Sequence, residues 1–136
     1  MVRIVVLNDN RKNNPQLENE HGLSLYIEVD GYKILLDAGQ TDIFKKNAKK
    51  LGVNLDDLDT IVLSHGHYDH GNGLKHIDKK IPLICCPGCD CYRVSKRTGN
   101  YGGLNQKIEE LSEKFDLIQT TEPYKITENI FFLGQI

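Results

Sequence analysis

Ser64-His65-Gly66-His67-Tyr68-Asp69-His70-Gly71 follows directly on Thr60-Ile61-Val62-Leu63. The tetrapeptide is short and almost wholly apolar, the pattern of a strand covered on both faces, so the histidine-rich run leaves the end of a buried strand. Gly66 and Gly71 let the backbone turn sharply there. In extended backbone His65 and His67 point the same way and can grip one ion; past the turn, Asp69 and His70 face a neighbouring direction and can begin a second site. Imidazole and carboxylate at this density suit one or two zinc ions, or iron or manganese, better than calcium or copper(I). Two such ions about 3.5–4 Å apart share a water, lower its pKa from about 15.7 toward 7 and hold it against a carbonyl or phosphoryl group. Hydrolysis at neutral pH is the chemistry expected, with Asp69 also orienting the attacking water as the catalytic residue. As mere loop residues these four side chains would repel one another when protonated and lose solvation when neutral.

Around this run the chain alternates strands and helices. Val2 to Leu7 reads as a buried strand, and Arg11 to Glu20 as a loop. In Leu23 to Val29 the apolar residues Leu23, Leu25, Ile27 and Val29 alternate with Ser24, Tyr26 and Glu28, as in a half-buried strand. Asp30-Gly31 supplies a two-residue hairpin turn into Tyr32 to Leu36. Thr41 is placed to cap a helix with Ile43, Phe44, Ala48 and Leu51 on one face, closed by Gly52. Downstream, Gly73 to Ile77 is expected as a short helix, Ile81 to Cys85 as a buried strand, and Asn105 to Phe115 as a helix. Leu117 to Gln119 and Ile130 to Leu133 are the last expected strands. His21 and His76, isolated, read as ordinary residues.

The chain has 136 residues, 17 basic against 19 acidic, and a formal net charge of -2. That size fits one domain, 1–136, able to bury roughly 68% of its unfolded surface. The charge balance argues against a general nucleic-acid or anionic-membrane binder. No run approaches the roughly 18 apolar residues of a membrane span, and the first ten residues lack a leader pattern. Cys85, Cys86, Cys89 and Cys91 lie too close together for a secreted disulfide framework. A cytoplasmic location is expected.

The window from His65 to His70 resembles the His-x-His-x-Asp-His motif of the metallo-β-lactamase superfamily. Leu35-Leu36-Asp37-Ala38-Gly39 sits where that family carries an Asp-Thr-Gly strand end. Asn8-Asp9-Asn10 and Glu20-His21-Gly22-Leu23-Ser24-Leu25 are similar to the branch named for a dihydropterin-ribofuranosylaminobenzene phosphate synthase, whose members are otherwise called metal-dependent hydrolases. The resemblance implies the N-terminal half of an αββα sandwich, an α/β fold of mixed sheet and flanking helices. It also implies His65, His67, Asp69 and His70 as metal ligands, Asp37 orienting them from behind, and a small-molecule ester, lactone or phosphoester substrate. The lesser reading of Asp37 on its own is a cap for the helix at Thr41 or a turn residue.

Family members are longer, and their second half supplies the remaining ligands; here no histidine follows His76. Half a sandwich leaves one sheet face bare, at about 25 cal/mol per Å² of apolar surface. A homodimer or a separate C-terminal partner chain is expected to cover it. The alternative to a hydrolase is a non-catalytic metal-binding or interaction half-domain. Cys86 and Cys89 form a C-x-x-C that can serve a zinc, iron-sulfur or redox site, or stand as surface thiols at a strand end.

Overall fold

In the computed structural model, which describes residues 1–135, the apolar runs pair into one mixed sheet of six strands in the order β1-β2-β3-β4-β5-β6. The last residue of the expected 1–136 domain lies outside the described residues. The strands are β1 (Val2–Asn8), β2 (Ser24–Val29), β3 (Tyr32–Leu36), β4 (Thr60–Val62), β5 (Pro82–Cys85) and β6 (Asp116–Gln119). The first three pair antiparallel and the last three join in parallel. Asp30 and Gly31 turn β2 into β3 with φ of 51° and 85°, the positive pair expected there.

Helices α1 (Ile43–Lys50), α2 (Tyr68–Gly71) and α3 (Ile108–Lys114) and two 3₁₀ segments, Leu55–Asp57 and Asn72–His76, accompany the sheet. Phe44 and Ala48 of α1 and Leu111 of α3 pack with Leu7, Leu35, Ile61, Leu63 and Leu83 in one core. On the opposite face Ile34, Val62 and Ile84 meet Phe132 of a separate hairpin, β7 (Tyr124–Thr127) and β8 (Ile130–Phe132). Alternation along β4 and β5 divides the side chains: Ile61 and Leu83 go to the helix side, Val62 and Ile84 to the hairpin side.

Several expectations need correction. β1 is an edge strand whose Val2, Ile4 and Val6 are 61%, 59% and 49% exposed. Their cross-strand partners are Val29, Ile27 and Leu25, only half-buried, so the face marked as core by its apolar residues is the half-bare one. The residues read as the polar side of β2, Ser24 and Tyr26, are the buried ones, at 0% and 3%. The reason is which face the helices cover. One sheet face is therefore partly uncovered, as a half-sandwich implies, and Ile27, Ile34 and Leu36 line an apolar cleft of about 370 Å³ beside β8.

Asp42 rather than Thr41 stands at the N-cap of α1, with no side-chain capping bond of its own; Thr41 Oγ1, one residue earlier, accepts from the Ile43 N–H at 3.4 Å and donates to Glu20 at 2.8 Å. α3 begins three residues later than expected, where Asp90 accepts from the Ile108 N–H at 3.0 Å and Glu110 from that of Lys107 at 2.8 Å. The short helix expected from Gly73 is the 3₁₀ segment Asn72–His76, and β7 was not foreseen.

Candidate metal centre

β3 and β4 run parallel, so their carboxyl ends, Leu36-Asp37 and Leu63-Ser64, finish at the same sheet edge. Asp37, 1% exposed, turns there with a left-handed φ of 58°. Its carboxylate accepts from the Ser64 N–H at 2.7 Å, the Ser64 hydroxyl at 2.6 Å and His70 Nδ1 at 2.7 Å. Asp37 is thus neither a helix cap nor a simple turn residue: it ties the end of β3 to the histidine run.

Those bonds settle the tautomers. With Nδ1 donating to Asp37, the lone pair of His70 is on Nε2, 3.5 Å from Asp69 Oδ2. The Ser64 hydroxyl spends its proton on Asp37 and so accepts from His65 Nδ1 at 2.9 Å, placing the lone pair of His65 on Nε2. That atom lies 3.1 Å from His67 Nδ1. One buried carboxylate therefore orients two imidazoles. Burial and the neighbouring His70 and His67 hold His65 below the usual imidazole range, which keeps it neutral. The hydrogen bond to Asp37 raises His70 against the opposing effect of burial.

The edge of a tetrahedron with metal–ligand bonds of about 2.0–2.1 Å is about 3.3 Å. The separations of 3.1 Å between the His65 and His67 donor atoms and 3.5 Å between those of His70 and Asp69 fit two such edges. The donor set therefore fits divalent metal as two pairs. Among the described residues no group of three or more histidine, cysteine, aspartate or glutamate side chains is arranged to hold an ion. The structure brings His65, His67, Asp69, His70 and Asp37 together as close pairs of donor atoms.

His21, set aside in the sequence, is at the site: its Nε2 lies 3.2 Å from Asp69 Oδ2. The Leu23 N–H donates to the Asp69 carbonyl at 3.3 Å, and a Cβ on Gly22 would sit 2.0 Å from that oxygen. The signal was the glycine beside it: a φ of 129° and this close approach both require Gly22, and together they deliver the histidine to the motif. Tyr68 and Arg93 are further residues missed; with His21, His67 and Asp69 they line a cleft of about 720 Å³.

Cys89 meets Cys85, with sulfurs 3.7 Å apart, rather than the expected Cys86. Alternation beyond β5 sends Cys85 into the helix-side core and Cys86 to the hairpin side. Their shared hydrogen bond and burial push Cys85 up, and the same bond lowers Cys89. The backbone of Cys89 lies directly against Gly66.

The chain is similar to known proteins over its whole length. Residues 18–84 match the sequence profile of the metallo-beta-lactamase superfamily. An uncharacterized protein of Methanocaldococcus jannaschii is 37% identical over 140 residues, covering all of this chain and 53% of that protein. The 7,8-dihydropterin-6-methyl-4-(beta-D-ribofuranosyl)-aminobenzene-5'-phosphate synthase of the same archaeon is 35% identical over 133 residues, 87% of this chain and 45% of its own length. A crystal structure described as a metal-dependent hydrolase of the beta-lactamase superfamily superposes with a TM-score of 0.82 at 31% identity, over 98% of this chain and 48% of its own. The chain spans about half the length of the curated relatives it matches. No helix among the described residues is long and apolar enough to cross a membrane.

Proposed function

The chain belongs to the metallo-beta-lactamase superfamily, and from that membership we propose that it carries half of a hydrolytic metal centre, binding metal without turning over substrate until further donors are supplied. The observation that supports this reading is the donor geometry: His65 with His67, and Asp69 with His70 and His21, stand at tetrahedral spacing, yet among the described residues no group of three or more is arranged to hold an ion. His65 and His67 would hold one zinc ion, with Asp69 and His70 beginning a second site; iron or manganese suits the same donors. A bound ion would supply a water acidic enough to attack an ester, lactone or phosphoester at neutral pH. The chain's own residues do the rest: Asp37 and Ser64 keep the imidazole lone pairs facing outward, and Asp69 orients the nucleophile. The missing donors come with the polypeptide that covers the half-bare sheet face, where Val2, Ile4 and Val6 are exposed.

Elemental analysis, solution mass and turnover of phosphodiester, lactone and thioester substrates test this together. Metal bound by the chain alone without hydrolysis is expected, and steady turnover by a monomer would overturn it. His67→Ala is expected to remove the ion of the first pair, and a variant that keeps its full metal content would contradict that assignment.

A further inference from the structure

Between Asp90 and Glu109 the chain carries Arg93, Lys96, Arg97 and Lys107 and no acidic residue, although its overall formal charge is -2. The first three lie on a hairpin-like loop. Val94 and Tyr101 form an antiparallel bridge, the Gly102 N–H donates to the Arg93 carbonyl at 2.9 Å, and the tip closes at Gly99 with φ 73°. The base of the loop is joined to the histidine run: the Tyr68 N–H donates to the Gly102 carbonyl at 3.1 Å, and His67 bridges Gly103.

Arg93 donates to the carbonyls of Cys89, Cys91 and Gly88 at 3.1 Å each and of Gly66 at 3.4 Å. Carbonyls satisfy its N–H groups but leave its charge uncompensated. Among the described residues no carboxylate lies within ion-pair distance of Arg93, Lys96 or Arg97. Arg93 and Arg97, with Ser95 and Thr98, line the cleft of about 720 Å³ that also exposes His67. Asp69 is the one carboxylate in that lining, and it already faces His21 at 3.2 Å and His70 at 3.5 Å.

Uncompensated cations in a walled cleft concentrate anions, and guanidinium together with hydroxyl donors matches the several acceptor oxygens of a phosphate better than the two of a carboxylate. We propose that the loop Arg93–Gly103 is a phosphate seat beside the half-centre, so that the ligand of this cleft is a small phosphorylated organic molecule, gripped by Arg97 with Arg93 behind it. The proposal rests on the half-centre reading for the bond that is broken; anion binding itself needs no metal, so the two can fail separately.

The test is a titration of the chelator-treated chain with inorganic phosphate, and with acetate at the same ionic strength, followed by amide ¹H–¹⁵N shifts. Phosphate is expected to move resonances of the 93–103 loop and His67, acetate to bind more weakly, and Arg97→Gln to weaken phosphate binding about tenfold. Lys49→Gln, on α1, is expected to change nothing. Absent binding, shifts elsewhere in the chain, equal affinity for acetate, or unchanged binding by a folded Arg97→Gln variant would each overturn the proposal. Turnover results bear only on the half-centre.

Discussion

Gly66→Ala is expected to destabilise the chain by about 3 kcal/mol and to abolish metal binding, read by urea unfolding and elemental analysis. The φ of Gly66 is not in the left-handed region, so conformational freedom is not the reason. A Cβ there would lie 1.6 Å from the Cys89 carbonyl oxygen, 2.5 Å from its carbon and 2.8 Å from the Cys89 Cα. Backbone on both sides must move, and Arg93 pins the cysteine loop by its carbonyls at Cys89, Cys91 and Gly88. Because His65 and His67 flank Gly66, any shift pulls the first donor pair apart. Gly102→Ala, where nothing lies within 4 Å of the added carbon, should stay within about 0.5 kcal/mol of the parent. Parental stability in Gly66→Ala would mean that the cysteine loop does not seat against the histidine run.

Asp37→Asn is expected to lower stability by about 3 kcal/mol in the metal-free chain, because two of its three hydrogen bonds meet donors that an amide N–H cannot accept from. Asparagine tolerates the left-handed backbone at this position, so the substitution isolates the charge and the acceptors. The loss should depend on pH. His70 is raised above its ordinary 6.5 by the bond to Asp37. Its contribution is therefore fully present below that value and fades as the pH rises through the raised folded value. The penalty of Asp37→Asn should shrink toward alkaline pH without vanishing, since the Ser64 bonds do not titrate there. Metal affinity should also fall by about ten- to a hundredfold, as when a ligand's supporting partner is removed. A flat pH dependence, or unchanged metal affinity, would show that the carboxylate does not orient His70.

Much of the site could be read directly. His65, His67, Asp69 and His70 adjoin one another in the chain, and the short apolar strand before them announces that they gather at a sheet edge. Asp37 was reachable only through its resemblance to a motif, because the partner that explains it, His70, is 33 residues away. His21 was not legible: its contact to Asp69 depends on the close approach at Gly22, a tertiary event whose sequence trace is a single glycine. The cysteines show the same limit, since C-x-x-C spacing suggests Cys86 with Cys89 while strand alternation pairs Cys85 with Cys89.

Apart from β7, the order of strands and helices, the hairpin at Asp30-Gly31 and the identity of the donor residues were determined by the sequence alone, because each depends on neighbours within a few residues. Which sheet face the helices cover was decided by the tertiary structure. Apolar alternation in β1 and β2 marks a face but cannot say what lies over it. There Val2, Ile4 and Val6 are left exposed while Tyr26 is buried at 3%. The same holds for the direction of the His65 and His70 lone pairs: it is set by Asp37 acting across the β3–β4 edge, a long-range contact between chain segments that no local pattern encodes.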